Sequence, residues 1–384
     1  MKISSRVADY VDPAVKKGFP KGCAVSVIYG GDTVYRECFG EERPGKPLTE
    51  GSIFRLFSLS KAVTSAAVMK LLEDGKIELR YPLKWFIPEF ENAVYAKDGE
   101  LLPVSRDITL SDLLTMRSGI PYPGGGTAGE KMGAVWGKQH DLISQGHGMS
   151  TVDFAREMGS VPLSFDPGSR WEYGSSADVL GAVTEIVSGK RFGDFIRDSI
   201  TGPLGMDDTD FYVPQSKKER LVQCYNFGEK GENLPYTVDD LCIRDTFERP
   251  AWESGGAGLY STITDYEKFV SMLLGEGTYK GTRILGRKTV ELMRSPMVPV
   301  DQIKGACWDS MVGQNYGALM RVLGDRDKAG QLASVGSFGW DGWLGCYFSV
   351  DPEEDLAMLM FIQQTNQGCT DFTRKLQNII WSHL

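Results

Sequence analysis

Ser58-Leu-Ser-Lys61 places a serine three residues before a lysine, at the start of a segment with the apolar spacing of a helix. Residues 53–57, Ile-Phe-Arg-Leu-Phe, form an apolar lead-in, and Asp74-Gly75 is typical of a helix end. One helical turn separates Ser58 from Lys61, so their side chains lie on the same face. Serine is a poor nucleophile at neutral pH, and a desolvated lysine of lowered pKa can act as its base. The stretch therefore predicts a serine nucleophile with a lysine base.

This tetrapeptide is a weak signal when it stands alone. A chain of 384 residues contains about one Ser-x-x-Lys by chance, and a serine at a helix start followed by a surface lysine is the ordinary interpretation. If the pair is catalytic, the helix N-terminus adds an unpaired amide and a partial positive charge. The nucleophile, the base and one oxyanion donor would then come from a single turn.

The composition is that of an ordinary globular enzyme, with 41% hydrophobic and 24% charged residues. The formal net charge is −9 and no basic run is present, so we expect no nucleic-acid partner. Residues 1–20 contain no continuous apolar stretch, and no later segment is long and uncharged enough to span a membrane. These features predict a cytoplasmic protein without a membrane partner.

Cysteine and histidine usage argues against a metal centre. The cysteine number is odd, the spacing is scattered and no Cys-x-x-Cys occurs, which indicates reduced cysteines. The three histidines have no zinc-site spacing, so we expect neither a metal nor an organic cofactor. No Gly-x-Ser-x-Gly motif is present, which argues against a typical α/β-hydrolase. The cysteines are Cys23, Cys38, Cys224, Cys242, Cys307, Cys346 and Cys369.

The order of predicted elements indicates the fold class. Strands are expected near both ends of the chain, with helices between them, which predicts an α+β fold, an α/β sandwich. Its antiparallel sheet would be flanked by N- and C-terminal helices, with a mostly helical region inserted. We expect residues 1–75 and 255–384 to form a discontinuous α/β sheet domain and residues 76–254 a mostly helical domain. The active site would lie between these two domains.

Some individual elements carry clear local signals. Residues 118–150 are rich in glycine and are expected to form a long loop. Helices are predicted at 3–17, 58–74, 109–117, 151–159, 175–188, 264–274, 286–293 and 370–383. Strands are predicted at 23–29, 33–39, 316–323, 332–337, 345–350 and 356–362.

Further motifs follow the serine in a recognisable order. They are Phe54-Arg-Leu-Phe-Ser-Leu-Ser-Lys61, Leu71-Leu-Glu-Asp-Gly75, Leu113-Leu-Thr-Met-Arg-Ser-Gly119, Pro167-Gly-Ser-Arg-Trp-Glu-Tyr-Gly-Ser175, Gly202-Pro-Leu-Gly-Met-Asp207 and Gly255-Gly-Ala-Gly-Leu-Tyr-Ser-Thr262. Together they resemble the serine β-lactamase and penicillin-binding-protein superfamily, in particular its class C β-lactamase-like esterases, the family VIII carboxylesterases. The resemblance runs from about residue 20 to the C-terminus. It implies a β-lactamase/transpeptidase-like fold in which Ser58 and Lys61 are catalytic.

The resemblance also assigns a role to Tyr173. A tyrosine before a helix is more often a packing residue, but the matching tyrosine of the family shuttles protons beside the nucleophile. A neighbouring lysine ammonium would stabilise the phenolate, so we expect a lowered pKa. Ser175 stands where class C members have an asparagine that contacts the acyl-amide side chain, which puts tight β-lactam recognition in doubt.

The third element of the family pattern matches Trp340-Asp-Gly342 here. β-Lactamases have Lys-Thr-Gly at this place, and the esterase branch has Trp-x-Gly. The resemblance makes the amides of Ser58 and Trp343 the oxyanion donors, and Gly342 would let substrate approach the strand. Because Trp340 replaces a cation and Asp341 adds a negative charge, we expect poor binding of β-lactams and a preference for neutral or amine-bearing substrates. Lys328-Ala-Gly330 is a decoy at the wrong distance from the Asp351-Pro352 turn.

Three tryptophans are candidates for an apolar acyl pocket. Trp136, Trp340 and Trp343 would line it with Asp341, Gly342 and Ser175, or the tryptophans would simply be core residues.

These residues predict a serine hydrolase that forms an acyl-enzyme, most closely a carboxylesterase on small to medium acyl esters. The expected partner is a small-molecule ester or amide substrate. β-Lactam hydrolysis, D-amino-acid peptide or amide hydrolysis and transacylation use the same Ser-Lys-Tyr chemistry and stay open as alternatives. A non-catalytic ligand-binding homologue is a further alternative, against which the intact Ser58, Lys61 and Tyr173 argue.

Overall fold

The computed structural model describes residues 3–303 and 308–383, so Cys307 lies outside the described residues. Its largest sheet has eight strands, and every neighbouring pair is antiparallel. The strands are β1 Gly22–Tyr29, β2 Asp32–Arg43, β3 Lys46–Pro47, β4 Gln314–Tyr316, β5 Arg321–Leu323, β6 Phe338–Asp341, β7 Tyr347–Asp351 and β8 Leu356–Phe361. Their spatial order is β4-β5-β6-β7-β8-β1-β2-β3. The two ends of the chain therefore build one sheet, as the order of predicted elements indicated.

The seam of the sheet is the pairing of β1 with β8. Ala24 lies opposite Phe361 and Ile28 opposite Ala357 in an unbroken antiparallel register. Both strands are almost continuously apolar and buried, because helices cover both faces of the sheet at this point.

The helices surround the sheet on both sides. They are α1 Ile3–Lys16, α2 Ser60–Glu73, α3 Leu110–Leu114, α4 Gly126–Ser144, α5 Thr151–Gly159, α6 Ser176–Ser188, α7 Phe192–Ile196, α8 Ile263–Leu274, α9 Arg287–Met293, α10 Val300–Ile303, α11 Arg326–Ala329 and α12 Asp371–Trp381. On one face, α1 and α12 pack together over the sheet through Val7, Val11, Leu376 and Ile380. The prediction of an antiparallel sheet flanked by the two terminal helices is confirmed.

Helix α2 runs through the main core on the other side of the sheet. Its small residues, such as Ala62, Ala66 and Ala67, are fully buried, and so are Ser60 and Lys61. The helix is therefore buried nearly all round rather than amphipathic, since α6, α7 and α9 pack against it as well.

Three predictions on local structure are wrong, and the first is the strand at 316–323, which is two strands, β4 ending at Tyr316 and β5 beginning at Arg321. Residues 118–150 are not a long loop, because they contain the 19-residue helix α4. Gly129, Gly133 and Gly137 recur every four residues and share one face, and a Cβ at Gly129 would lie 2.8 Å from the backbone of Gly124. Gly129 therefore serves close packing of the helix against residue 124 rather than a turn. Similarly, the strand predicted at 332–337 begins only at Phe338.

Several two-stranded pairs complete the structure. They are Phe54–Arg55 with Tyr260–Ser261, Val94–Lys97 with Glu100–Pro103, Cys224–Phe227 with Asn233–Tyr236, Asp239–Asp240 with Ile243–Arg244 and Thr278–Tyr279 with Thr282–Arg283. Across residues 3–303 and 308–383, no helix has the length and apolar character needed to cross a membrane. The division into domains at residues 75 and 255 stays a prediction.

Candidate active site

The turn that carries Ser58 connects the short strand Phe54–Arg55 to helix α2. Residues Phe57–Leu59 form a single 3-10 turn directly before α2. Phe57 has a φ of 47°, a left-handed conformation that is unfavourable for a bulky residue. Its buried ring lies 5.4 Å from the ring of Trp343. This packing holds the strained backbone that presents Ser58, a feature common at functional sites.

Lys61 is completely buried and lies against Ser58. Its Nζ donates to Ser58 Oγ at 3.2 Å, to the phenol oxygen of Tyr122 at 3.1 Å and to the carbonyl of Gly256 at 2.8 Å. Burial lowers the pKa of Lys61 from 10.5 to about 7, and the charge of Asp178 opposes part of that shift. A large share of the amine is therefore neutral near neutral pH and able to accept a proton from Ser58.

Tyr173 lies on the other side of the serine, just before α6. Ser58 and Trp340 hydrogen bond to its phenol oxygen, the latter through the indole N–H at 3.3 Å. Lys61 Nζ is 4.6 Å from the ring centroid. The expectation of a lowered pKa is wrong, because burial raises the pKa of Tyr173 more than its hydrogen bonds lower it. Tyr173 is therefore a neutral phenol, suited to donate a proton.

Trp340 occupies the end of strand β6 and is almost completely buried. Its ring centroid is 5.6 Å from that of Tyr173 and 5.3 Å from that of Tyr316. The guanidinium of Arg321 lies over the indole, 4.7 Å from the ring centroid. Arg321 also forms an ion pair with Asp341, so the Asp341 charge is largely neutralised and does not stand free as the sequence suggested. The expected preference for amine-bearing substrates therefore loses its support.

Gly342 brings the end of β6 against the segment that leads into the nucleophile turn. A Cβ at Gly342 would lie 2.1 Å from the carbonyl oxygen of Leu56, so only glycine fits. This close approach places the backbone of Trp343 beside the Ser58 turn. The role of the Ser58 and Trp343 amides as oxyanion donors stays a prediction.

An open cavity of about 690 Å³ contains this arrangement. Its lining includes Ser58 and Tyr173, together with Trp308, Trp340, Asp341, Trp343, Asn366 and Arg374. Lys328, the decoy cation, lies outside this lining, is exposed and pairs with Asp325. Among the residues that the structure describes, no group of three or more histidine, cysteine and acidic side chains is placed to hold a metal ion.

Three predicted substrate-binding residues, Gly342, Trp136 and Ser175, are not part of the cavity lining. Trp136 is buried among other aromatic rings, with its centroid 5.8 Å from that of Tyr122 and 5.6 Å from that of Trp252. Ser175 is also buried, and its hydroxyl donates to the carbonyl of Pro121 at 2.8 Å. Trp136 and Ser175 therefore support the segment that carries Tyr122, and their contact with substrate stays a prediction.

Sequence reasoning missed Tyr122, Asp178 and Gly256. Tyr122 reaches Lys61 because residues 120–122 run antiparallel beside residues 173–175. No local sequence motif predicts this pairing. Asp178 follows Tyr173 by five residues, and Gly256 lies within the glycine-rich segment noted in the sequence. The positions of Asp178 and Gly256 within or close to recognised motifs are the features of the sequence that could have indicated them.

Comparison with known sequences places the chain among related proteins. The family described as Beta-lactamase matches residues 7–377. The chain is 31% identical over 329 residues to Protein Rv1367c of Mycobacterium tuberculosis, covering 83% of this chain and 79% of that protein. It is 27% identical over 387 residues to Esterase EstB of Burkholderia gladioli, covering 95% and 92%.

Comparison with solved structures gives the same fold over the whole chain. EstCE1, described as a hydrolase with promiscuous acyltransferase activity, has a TM-score of 0.82 at 24% identity, covering 99% of this chain and 98% of its own. The simvastatin synthase LovD from Aspergillus terreus has a TM-score of 0.82 at 20% identity, covering 100% and 99%. The prediction of a β-lactamase/transpeptidase-like fold is confirmed.

Proposed function

The chain belongs to the beta-lactamase family, and from this premise we propose that it is a serine carboxylesterase acting on small to medium acyl esters. One observation carries the proposal: the buried Lys61, whose pKa is lowered, contacts Ser58, and Ser58 lines a cavity that Trp340 of strand β6 also lines. The relative named Esterase EstB supports the same activity.

Acylation uses Ser58, Lys61 and Tyr173. Neutral Lys61 takes the proton from Ser58 while Oγ forms a bond to the ester carbonyl carbon. The oxyanion of the tetrahedral intermediate is held by the amides of Ser58 and Trp343. As the bond to the alcohol breaks, Tyr173 gives its proton to the leaving oxygen and is reprotonated by the Lys61 ammonium. The products of this half-reaction are the free alcohol and an acyl-Ser58.

Deacylation repeats these steps with water in place of the serine. Tyr173 passes its phenol proton to neutral Lys61 as it takes a proton from water, whose oxygen attacks the acyl carbon; the Lys61 ammonium then returns a proton through Tyr173 to Ser58 Oγ as the acid leaves. Ser58, Lys61 and Tyr173 thereby return to their starting protonation states.

Acyl transfer to an acceptor other than water is the second candidate. The cavity is open enough for an alcohol to replace water at the acyl-enzyme, and one relative, 24% identical over 386 residues, is named Monacolin J acid methylbutanoyltransferase of Aspergillus terreus. β-Lactam and D-amino-acid peptide hydrolysis are less well supported, because Trp340 offers no cation for a substrate carboxylate.

We propose a cytoplasmic location and a small-molecule ester or amide substrate as the partner. The six cysteines among the described residues, Cys23, Cys38, Cys224, Cys242, Cys346 and Cys369, are all free thiols, which suits a reducing compartment.

Hydrolysis of p-nitrophenyl esters from acetate to octanoate tests the proposal, with nitrocefin measured in parallel. We expect ester turnover that Ser58→Ala abolishes, with nitrocefin slow or inert, and a chain-length profile that reports the size of the cavity. Rapid nitrocefin turnover would assign a β-lactamase instead. Adding a primary alcohol and measuring the transferred acyl product distinguishes esterase from acyltransferase.

A further inference from the structure

A buried carboxylate lies behind the catalytic lysine and takes no part in the steps described above. Asp178 is in the first turn of α6 and only 2% exposed. Its Oδ1 accepts from the Ser254 hydroxyl at 2.6 Å and from the Gly256 amide at 3.2 Å. Its Oδ2 is buried without a hydrogen-bond partner among the described residues. A buried carboxylate oxygen without a hydrogen-bond donor destabilises the fold, which indicates a functional reason for its presence.

Gly256 connects this carboxylate to Lys61. Its amide donates to Asp178, and its carbonyl accepts from Lys61 Nζ at 2.8 Å. A Cβ at Gly256 would lie 2.7 Å from Asp178 Oδ2 and 3.1 Å from the phenol oxygen of Tyr122. The missing side chain of Gly256 therefore leaves room for the Asp178 carboxylate and the Tyr122 hydroxyl, and that hydroxyl accepts from Lys61 Nζ.

The groups around Lys61 come from four parts of the chain. Ser58 shares its helix turn, Tyr122 and Tyr173 approach from the loops before α4 and α6, and Asp178 approaches from α6. Arg321 on β5 acts on Tyr173 rather than directly on the amine. Among the described residues, Asp178 is the acidic group whose charge raises the pKa of Lys61; burial raises the pKa of Asp178 in turn, and the Lys61 charge and the hydrogen bonds from Ser254 and Gly256 lower it.

We propose that Asp178 is a positioning residue that stabilises the protonated form of Lys61 during acyl transfer. When Ser58 attacks, its proton moves to Lys61 and creates a buried ammonium, which is unfavourable without a counter-charge. The carboxylate supplies that charge and fixes the Gly256 carbonyl toward the ammonium. This inference rests on the proposed function only in taking Lys61 as the base for Ser58.

The rate of Ser58 labelling by a fluorophosphonate, measured from about pH 5 to 9 by intact mass, tests the role of Asp178 without any ester. Asp178→Asn keeps an oxygen that can accept from Ser254 and Gly256 but removes the charge. We expect the wild-type rate to rise with a midpoint at about pH 7. In Asp178→Asn the midpoint should fall by about one pH unit and the plateau by about tenfold, since Lys61 becomes a weaker base.

Ser254→Ala is the matched control, because it removes one hydrogen bond to Asp178 and leaves the charge. Its midpoint should stay at the wild-type value. A slower Asp178→Asn with an unchanged midpoint, or an equal midpoint shift in Ser254→Ala, would overturn the proposal. Thermal melting checks folding, and Asp178→Ser provides the same charge removal if Asp178→Asn does not fold.

Failure of the proposed function is distinguishable from failure of this inference. A wild-type protein that is labelled at Ser58 but hydrolyses no ester contradicts only the esterase proposal, and the midpoint comparison then still supports or overturns the role of Asp178. A wild-type Ser58 that resists labelling would overturn both.

Discussion

At the scale of single residues, the site depends on a lysine that is buried more deeply than its charge favours. Lys61 has no exposed surface and a pKa of about 7, against 10.5 for the free side chain. The same burial that makes the amine a base at neutral pH destabilises the folded protein, because the ammonium must lose its hydration. Function and stability are opposed at this position.

The stability cost of Lys61 should depend on pH in a defined direction. Between about pH 7 and 10.5 the unfolded chain holds the lysine proton and the folded protein does not, so this group's contribution to stability rises with pH. Lys61→Met should therefore raise the free energy of unfolding by about 2 kcal/mol at pH 7, with a gain that shrinks toward pH 10. Thermal melts of both proteins at several pH values measure this gain, and a pH-independent gain would contradict the argument.

Tyr122 should contribute to activity through its hydroxyl alone. Tyr122→Phe removes an acceptor for Lys61 but keeps the ring contacts with Trp136 and Tyr173, so we expect kcat to fall about tenfold with little loss of stability. Tyr316→Phe is the control, because its hydroxyl is buried without a hydrogen-bond partner among the described residues. Measuring kcat for ester hydrolysis in both variants tests this prediction, and an equal fall in kcat would argue against a specific role for Tyr122.

At the scale of elements, the sequence predicts well those features that a short stretch of residues determines. The Ser58 turn, helix α2 and the β7–β8 hairpin follow from local spacing and turn residues, and the structure places Ser58, Lys61 and Tyr173 in contact. Tyr122 and the pairing of Asp341 with Arg321 depend on which segments cross, which periodicity does not encode. Helix α4 was missed because glycine favours turns in isolation, whereas here tertiary packing overrides that preference.

The glycines of α4 should differ in what they tolerate. Gly129→Ala puts a methyl group 2.8 Å from the Gly124 backbone and should lower the free energy of unfolding by about 1–3 kcal/mol. Gly137→Ala meets no atom within 4 Å and should stabilise the helix by about 0.5–1 kcal/mol. Urea unfolding of both variants measures the contrast, and a destabilised Gly137→Ala would contradict the packing explanation.

At the scale of the whole molecule, buried hydrogen bonds to Asp351 fix the C-terminal helix α12 to the main sheet. Asp351, at the end of β7, is fully buried and accepts from the indole N–H of Trp381 in α12 at 2.7 Å and from the amide of Ser334 at 2.8 Å. The C-terminal helix is thereby fixed to the sheet that α1 also covers.

Loss of this link should affect stability and leave catalysis unchanged. Trp381→Phe keeps an aromatic ring but leaves the buried Asp351 carboxylate short of a donor, which should cost about 1–3 kcal/mol. The lowered melting temperature should be accompanied by wild-type kcat and KM at 25 °C. A changed KM would instead mean that α12 transmits its position to the cavity lined by Arg374.

The β1–β8 pairing also sets the point during synthesis at which the main sheet can be completed. β1 ends at Tyr29 and its partner begins at Leu356, so at about 5–20 residues per second the ribosome needs roughly 15–65 s to supply the second strand. Throughout that interval an almost wholly apolar strand has no neighbour on that side, which makes the nascent chain a natural client for holdase chaperones. Strand β6 and Trp343 are also synthesised long after Ser58, so the lining of the cavity around Ser58 is complete only after these residues have been translated.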